Sequence, residues 1–276
     1  MSAALPSISV VVPTRDRPLA LGRCLAALRR QSAPVEIVVV ADGGDANPAA
    51  AAASRVGATL LVGDGGGPAS ARNLGAAAGH GEILCFTDDD CEPTAEWAAL
   101  LVTAAREGGG AAAGRTLAPE RAGPAVRASQ AVIDHLQLGS DPSAGEKLAF
   151  APSCNLACSR EVFAVTGFDE SFALAAGEDR AFSDRLAAAG HSPVYCPGAL
   201  VVHHQQEGGL ALLRRQYRYG RGAVQYRRRG GRLEVAGARR RQLQALAAQG
   251  RAVIAFGLAG QAATAAGALR ESLVRG

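Results

Sequence analysis

Hydrophobic positions along the first hundred residues alternate between two periods. Residues 8–12 form a β-branched run that stops at Pro13, the pattern of a strand followed by a turn. Leu21, Cys24, Leu25 and Leu28 then recur at helical spacing, with Pro18 where a helix start tolerates it. The alternation continues with strands at 36–40, 59–62 and 82–87. It predicts helices at 48–56, 68–78 and 94–107, the last capped by Thr94. Strand then helix at this rhythm predicts βαβ units and a parallel sheet, an α/β protein. Ligands of such sheets bind beyond the carboxyl ends of the strands. The segments PTRDR, DGG, GDGGGPASARN and DDD each follow one of the four strands, so the sequence places its polar oddities on one edge and in one site.

Later periodicity is less regular. Residues 108–143 carry a strand and a helix near 126–138, and 159–165 a short capped helix. A helix at 178–189 stops at Gly190, and short strands follow at 192–195 and 199–203. Leu210, Leu213, Tyr217 and Val224 make an apolar stripe on a helix whose other faces carry arginines, and from Ala238 on the chain reads as Ala-rich helix.

Charge sharpens the reading of that last third. The 276 residues carry a formal net charge of +4, concentrated in an arginine-dense stretch, 214–241, whose single acid is Glu234. Such asymmetry points to an anionic partner: lipid headgroups, phosphates or nucleic acid. Tyr217, Tyr219 and Tyr226 among these arginines have the composition of a segment in a membrane interface, with Arg227, Arg228 and Arg229 against anionic lipid. Residues 252–269 are uncharged but rich in Ala and Gly, short of a spanning helix. No basic, then apolar, leader opens the chain, so the expected place is the cytoplasm, peripheral on the inner face of the plasma membrane. The six cysteines fit no framework: Cys24, Cys85 and Cys196 sit in apolar segments, and Cys154 and Cys158 match neither zinc nor redox spacing. Buried reduced thiols are expected.

Three features carry candidate chemistry. GDGGGPASARN is neither a P-loop nor GxGxxG, yet it sets glycines before a helix start, where backbone amides can meet an anion, with Arg72 about one turn in. Asp88, Asp89 and Asp90 repel one another unless something positive joins them. Mn²⁺ or Mg²⁺ shared with substrate phosphates would serve. Glu178 and Asp179 open a helix, where one of them can act as a general base. His203 and His204 end a strand on opposite faces, so at most one is a metal ligand.

In this order the pieces resemble glycosyltransferase family 2, inverting transferases of the nucleotide-diphospho-sugar (GT-A) fold. VVPTRDRP resembles the family's opening strand, VVVADGG its V-D-D-G-S, SARNLG its A-R-N-x-G and FTDDDC its D-x-D. TGFDE followed by GEDRAFSDRL is similar to its acceptor-side motifs, and RRQYRYGRG to Q-x-x-R-W. Ala41 stands where the family has its first acid, Arg215 where it has Gln and Tyr219 where it has Trp; the missing Trp argues against processive polysaccharide synthesis. The resemblance implies a GT-A catalytic domain over 1–207, nucleotide half to about 107 and acceptor half beyond, with a basic helical extension over 208–276. Pro13, Thr14, Arg15 and Asp42 would hold the nucleoside and Asp88 the ribose, with Arg72 and Asp89 completing the donor site. Asp90 and His203 would bind the metal and Asp179 would be the base. Asn155, Glu178, Arg218 and Tyr219 would lie on the acceptor side. The expected donor is a UDP-, GDP- or dTDP-sugar. The expected acceptor is a cell-envelope glycan, a lipid-linked intermediate or a small molecule such as a secondary metabolite, and no nucleic acid. The alternatives are a sugar-nucleotide nucleotidyltransferase and a non-catalytic protein that binds membrane surfaces or nucleic acid through its arginines.

Overall fold

The computed structural model describes residues 5–139, 142–172, 176–205, 208–231, 246 and 249–274. Strands β1 (Ile8–Thr14), β2 (Glu36–Asp42), β3 (Thr59–Gly63) and β4 (Ile83–Phe86) alternate with helices α1 (Pro18–Leu28), α2 (Asn47–Val56) and α3 (Pro68–Ala78). Then come β5 (Cys91–Pro93), α4 (Trp97–Glu107), β6 (Ala111–Leu117), α5 (Pro124–Leu138), a 3₁₀ turn (Ser153–Asn155), β7 (Leu156–Ser159), α6 (Arg160–Thr166), α7 (Glu178–Ala188) and β8 (Val194–His203). Helices α8 (Gly209–Arg228) and α9 (Arg251–Leu273) follow.

One eight-stranded sheet runs β3-β2-β1-β4-β7-β6-β8-β5. The first four strands are parallel, as their spacing predicts. Beyond them the sheet is mixed: β7 lies antiparallel to both β4 and β6, β8 parallel to β6, and β5 antiparallel to β8. Every residue of β1 is buried, as befits a central strand covered on both faces. Val10 and Val12 join one core cluster with Leu21, Leu25, Trp97 and Leu101, while Val11 faces the other with Phe86, Phe168 and Phe182. Gly75 lets α3 lie directly on β1, since a Cβ there would come within 2.4 Å of Val11 Cγ1.

Local expectations change in three places. Thr94 does not cap α4: its hydroxyl donates to the Leu200 carbonyl (3.3 Å) and the helix begins at Trp97. The two short strands after Gly190 are one, β8, whose pairing with β6 shifts register between Gly114 and Arg115. On α8, Leu210 is exposed and Leu212 takes the buried position in a small cluster with Ala128 of α5 and Val253 of α9. Most of the Ala-rich stretch expected from Ala238 up to α9 lies outside the described residues.

Helices α8 and α9 run alongside each other in the same direction, backbone against backbone. A Cβ at Gly220 would reach the Thr264 carbonyl oxygen at 1.9 Å, and one at Gly267 the Tyr217 carbonyl oxygen at 1.9 Å. The pair also packs on α7 and the residue Ala176 before it, where Gly222 meets the Ala176 backbone and the Tyr226 hydroxyl donates to Asp184. Tyr226 is therefore an interior residue, 3% exposed, and not an interfacial one. Arg228 donates to the carbonyls of Glu271 and Val274 at the end of α9, and Arg229 stacks on Phe172 and bonds Ser171. Among the described residues α9 is the one helix long and apolar enough to cross a membrane by length and composition, more than its central 252–269 stretch predicts; Leu258, Leu269 and Leu273 are exposed on it.

Candidate active site

The Asp triplet lies between β4 and β5, at the carboxyl end of the sheet, where Cys91 N–H donates to the Asp88 carbonyl (3.0 Å) and starts a turn. Its three carboxylates are answered by protein cations. Asp89 is fully enclosed; the Thr14 hydroxyl donates to its Oδ2 (2.6 Å), and Arg17 contacts both its oxygens (2.6 and 3.1 Å). Arg17 Nη1 also donates to Asp90 Oδ2 at 2.7 Å. Asp90 Oδ1 lies 3.2 Å from His203 Nε2, and Arg72 Nη2 2.9 Å from Asp88 Oδ1. Arg17 was not singled out by sequence reasoning, although PTRDRP offers it four residues past Pro13.

Electrostatics follow from this clustering. Burial works against the Asp90 charge, but His203, with Arg17, overrides it and holds the carboxyl down at about 2. Burial likewise opposes a charged His203, yet Asp90 pushes its ring up to about 9. Burial raises Asp89 to about 7 against the pull of Arg17 and Thr14. Asp90 and His203 also fit a hard divalent ion. Adjacent ligands of an octahedral ion with bonds of about 2.1 Å sit about 3 Å apart, close to the separation of Oδ1 and Nε2. His204 turns away and meets Glu92 (3.0 Å), as strand alternation predicts.

A pocket beside the triplet is lined by Thr14, Arg15, Asp16, Ala41, Gly43 and Pro48. Pro13 is buried within β1. Asp42 is turned to the loop before α3, where its carboxylate accepts from the Gly65 and Gly67 amides (3.0 and 2.8 Å).

Arg72 connects the two halves of the cleft. It is 3% exposed, lies over the Phe168 ring (5.4 Å), and its Nη1 reaches Glu178 (3.5 Å) and Asp179 (3.7 Å) at the start of α7. Burial opposes its charge, but Asp88, Asp179 and Glu178 together raise its affinity for the proton. Asp179 Oδ2 accepts the Ser153 amide (3.2 Å), and its side chain keeps 26% exposure. Burial, opposed by Arg72, raises the Asp179 carboxyl. Burial and then Asp179 push Glu178 up to about 8.

Of the residues expected on the acceptor side, Tyr219 lies close enough to Asp179 and Glu178 for their charges to act on its hydroxyl, whereas Asn155 is turned into the interior. Asn155 is fully buried, accepting from the Trp97 indole (2.8 Å) and donating to the Ala199 carbonyl (3.1 Å). Arg218 is exposed on α8, and burial pushes Tyr219 up to about 12. Arg215, read from sequence only as a departure from a motif, has Nε and Nη2 enclosed with no hydrogen-bond partner among the described residues.

A Rossmann-like sheet with an acid-rich cleft beyond its strand ends, and a carboxylate pair facing it from a helix start, defines a glycosyltransferase of the GT-A fold. The chain belongs to glycosyl transferase family 2, whose pattern matches residues 9–166. It is 26% identical over 235 residues to glycosyltransferase AglE of Haloferax volcanii, covering 82% of this chain and 75% of that protein. It is 30% identical over 232 residues to the pre-mycofactocin glycosyltransferase of Mycobacterium tuberculosis, covering 79% of this chain and about half (47%) of that protein. The fold is shared with mannosyltransferase PcManGT from Pyrobaculum calidifontis, solved in complex with GDP-Man and Mn²⁺ (TM-score 0.66, 19% identity, 99% of this chain and 89% of that one). It is also shared with S. aureus TarS (TM-score 0.56, 16% identity, 98% of this chain and 55% of that one).

Proposed function

We propose that the protein moves a sugar from a nucleotide-diphosphate sugar to an acceptor hydroxyl with inversion, in a metal-dependent reaction. The observation that carries this reading is Arg72, which holds Asp88 on the donor side and Glu178 and Asp179 on the acceptor side in one enclosed network. Asp179 is partly exposed, and its raised proton affinity suits it to accept a proton. It takes the proton of the acceptor hydroxyl. The oxygen attacks the anomeric carbon from the face opposite the diphosphate, and the bond to the diphosphate breaks. Asp90 and His203 would hold Mn²⁺ or Mg²⁺, which supplies positive charge to the leaving diphosphate.

The pocket lined by Thr14, Arg15 and Ala41 would take the nucleoside. The Ala41 side chain cannot accept a hydrogen bond from a base, so side-chain selectivity there falls to Asp16 or Asp45, which line the same pocket. The GDP-mannose and UDP named with structural neighbours make guanine and uracil donors the first to try. The acceptor class proposed is a glycan, a lipid-linked intermediate or a small molecule.

A panel of UDP-, GDP- and dTDP-sugars with Mn²⁺ tests the reading by thermal shift, since a ligand that binds the native state raises the melting temperature. One nucleobase should stabilise the protein, and chelation should remove the shift. If no nucleotide sugar shifts the transition in any metal, the donor assignment is wrong.

A further inference from the structure

A second set of metal-binding side chains lies beside the Asp90–His203 pair. Cys91 stands directly opposite His203 in the antiparallel β5–β8 register, so the two side chains share a face of that ribbon. Cys154 arrives from a third element, the 3₁₀ turn before β7. The two sulfurs and a ring nitrogen of His203 lie within 4.8 Å of one another. Both thiols are unpaired and enclosed, 1% and 5% exposed.

Enclosed thiols beside Trp97 and Leu101 could be packing alone. The histidine argues for more. Its Nε2 is engaged by Asp90, whereas its Nδ1 is buried with no hydrogen-bond partner among the described residues. A buried polar atom left without a partner destabilises the fold. A cation shared with the two sulfurs would satisfy it.

We propose that Cys91, Cys154 and His203 Nδ1 form a site for a thiophilic divalent cation of the Zn²⁺ or Cd²⁺ type, and that filling it closes the hard-ion site. Two thiolates and an imidazole suit such ions and disfavour Mg²⁺ and Mn²⁺, which prefer oxygen. With bonds of about 2.3 Å to sulfur and about 2.1 Å to nitrogen, tetrahedral ligand atoms sit about 3.5 Å apart, so the side chains need to close by at most about 1 Å. Both thiol protons and the Nδ1 proton of the charged ring leave to solvent on binding, and the fourth position is left to water.

One imidazole serves both ions, which makes them exclusive. A neutral ring has one lone pair and one N–H. An oxygen-preferring ion on Nε2 leaves the proton on Nδ1, facing the sulfurs. A thiophilic ion on Nδ1 leaves the proton on Nε2, which then donates to Asp90. The closing of the hard-ion site rests on the functional reading above; the thiolate site itself does not.

Cobalt(II) titration of the metal-free, reduced protein tests the proposal, because thiolate coordination gives an intense ligand-to-metal charge-transfer band that oxygen ligands do not. Wild type should show the band, Zn²⁺ should displace it, and Cys91→Ser and Cys154→Ser should lose it. Cys154→Ala, with a melting curve for each variant, guards against loss by unfolding. No band in wild type, or an undiminished band in a folded Cys154 variant, overturns the site. Saturating Mn²⁺ with UDP or GDP should erode the band; a nucleotide that binds with Mn²⁺ yet leaves the band intact overturns the exclusion. A protein that gives the band but binds no nucleotide sugar keeps the thiolate site and loses the glycosyltransfer reading instead.

Discussion

Arg72 stands 2.9 Å from Asp88 with 4% of its side chain exposed, an ion pair at the wall of the cleft. The same guanidinium serves Glu178 and Asp179, so its removal leaves three carboxylates without their shared cation. Arg72→Met should destabilise the protein by about 3–5 kcal/mol, the cost of breaking a buried pair. Arg72→Lys should recover part of this, since a lysine restores the charge but not the two-armed reach. Urea unfolding of the three proteins measures it, and a loss for Arg72→Met below about 1 kcal/mol would contradict a buried, shared role.

Asp179→Asn should keep donor binding and slow transfer by about 10²-fold or more, the usual weight of a general base. Calorimetry with nucleotide and Mn²⁺ separates the two effects. Because burial raises the Asp179 carboxyl, the wild-type rate should decline on the acid side above the ordinary carboxylate range. A normal rate in the variant would pass the role to Glu178.

Glu178 gives a pH-dependent stability. Its folded value is about 8 against an ordinary 4.5, so between those limits the native state holds a proton that the unfolded chain has lost. Stability therefore falls as pH rises from about 4.5 through about 8. Glu178→Gln carries no such proton, and its stability relative to wild type should climb across that window. Melting temperatures of both proteins at pH 5 and pH 8 decide it; a constant difference would show that Glu178 titrates normally.

We propose that the basic helix α8 binds peripherally to anionic lipid, and the structure selects the arginines that test it. Arg228 and Arg229 are tied to α9 and Phe172, so replacing them confounds lipid contact with folding. Arg214, Arg218 and Arg227 are exposed and suit the test better. Co-sedimentation with anionic vesicles should fall with salt and with Gln at these positions, by screening and lost charge. Protein left in the supernatant at low salt would leave α8 and α9 as a helical cap alone.

The βαβ rhythm was legible because each parallel strand is a short apolar run closed by polar residues at the edge where ligands bind. That logic found the Asp triplet and Arg72, whereas Glu178 and Asp179 stood out as carboxylates that open a helix. It could not find β5, whose three residues follow directly on the triplet, or the four-residue β7, whose reversed direction is set by its pairing partners. The Asp90–Arg17 and Cys91–Cys154–His203 groupings join residues far apart in the chain, and no local spacing encodes them. Asn155 has the polarity of a site residue, but its amide balances the Trp97 indole in the interior.

The reversed β7 also bears on how the chain is made. Strand β4 pairs with β1 on one side, but its other side waits for β7, where Ile83 meets Ser159. A nascent chain that has completed the first four strands therefore shows solvent the open backbone edge of Ile83, Leu84, Cys85 and Phe86, a template for sticking to other chains. Synthesis must run past Ser159 before that edge is sealed, which leaves it exposed to other chains for that interval. A truncation ending before β7 should aggregate even though all four parallel strands β1 to β4 are present.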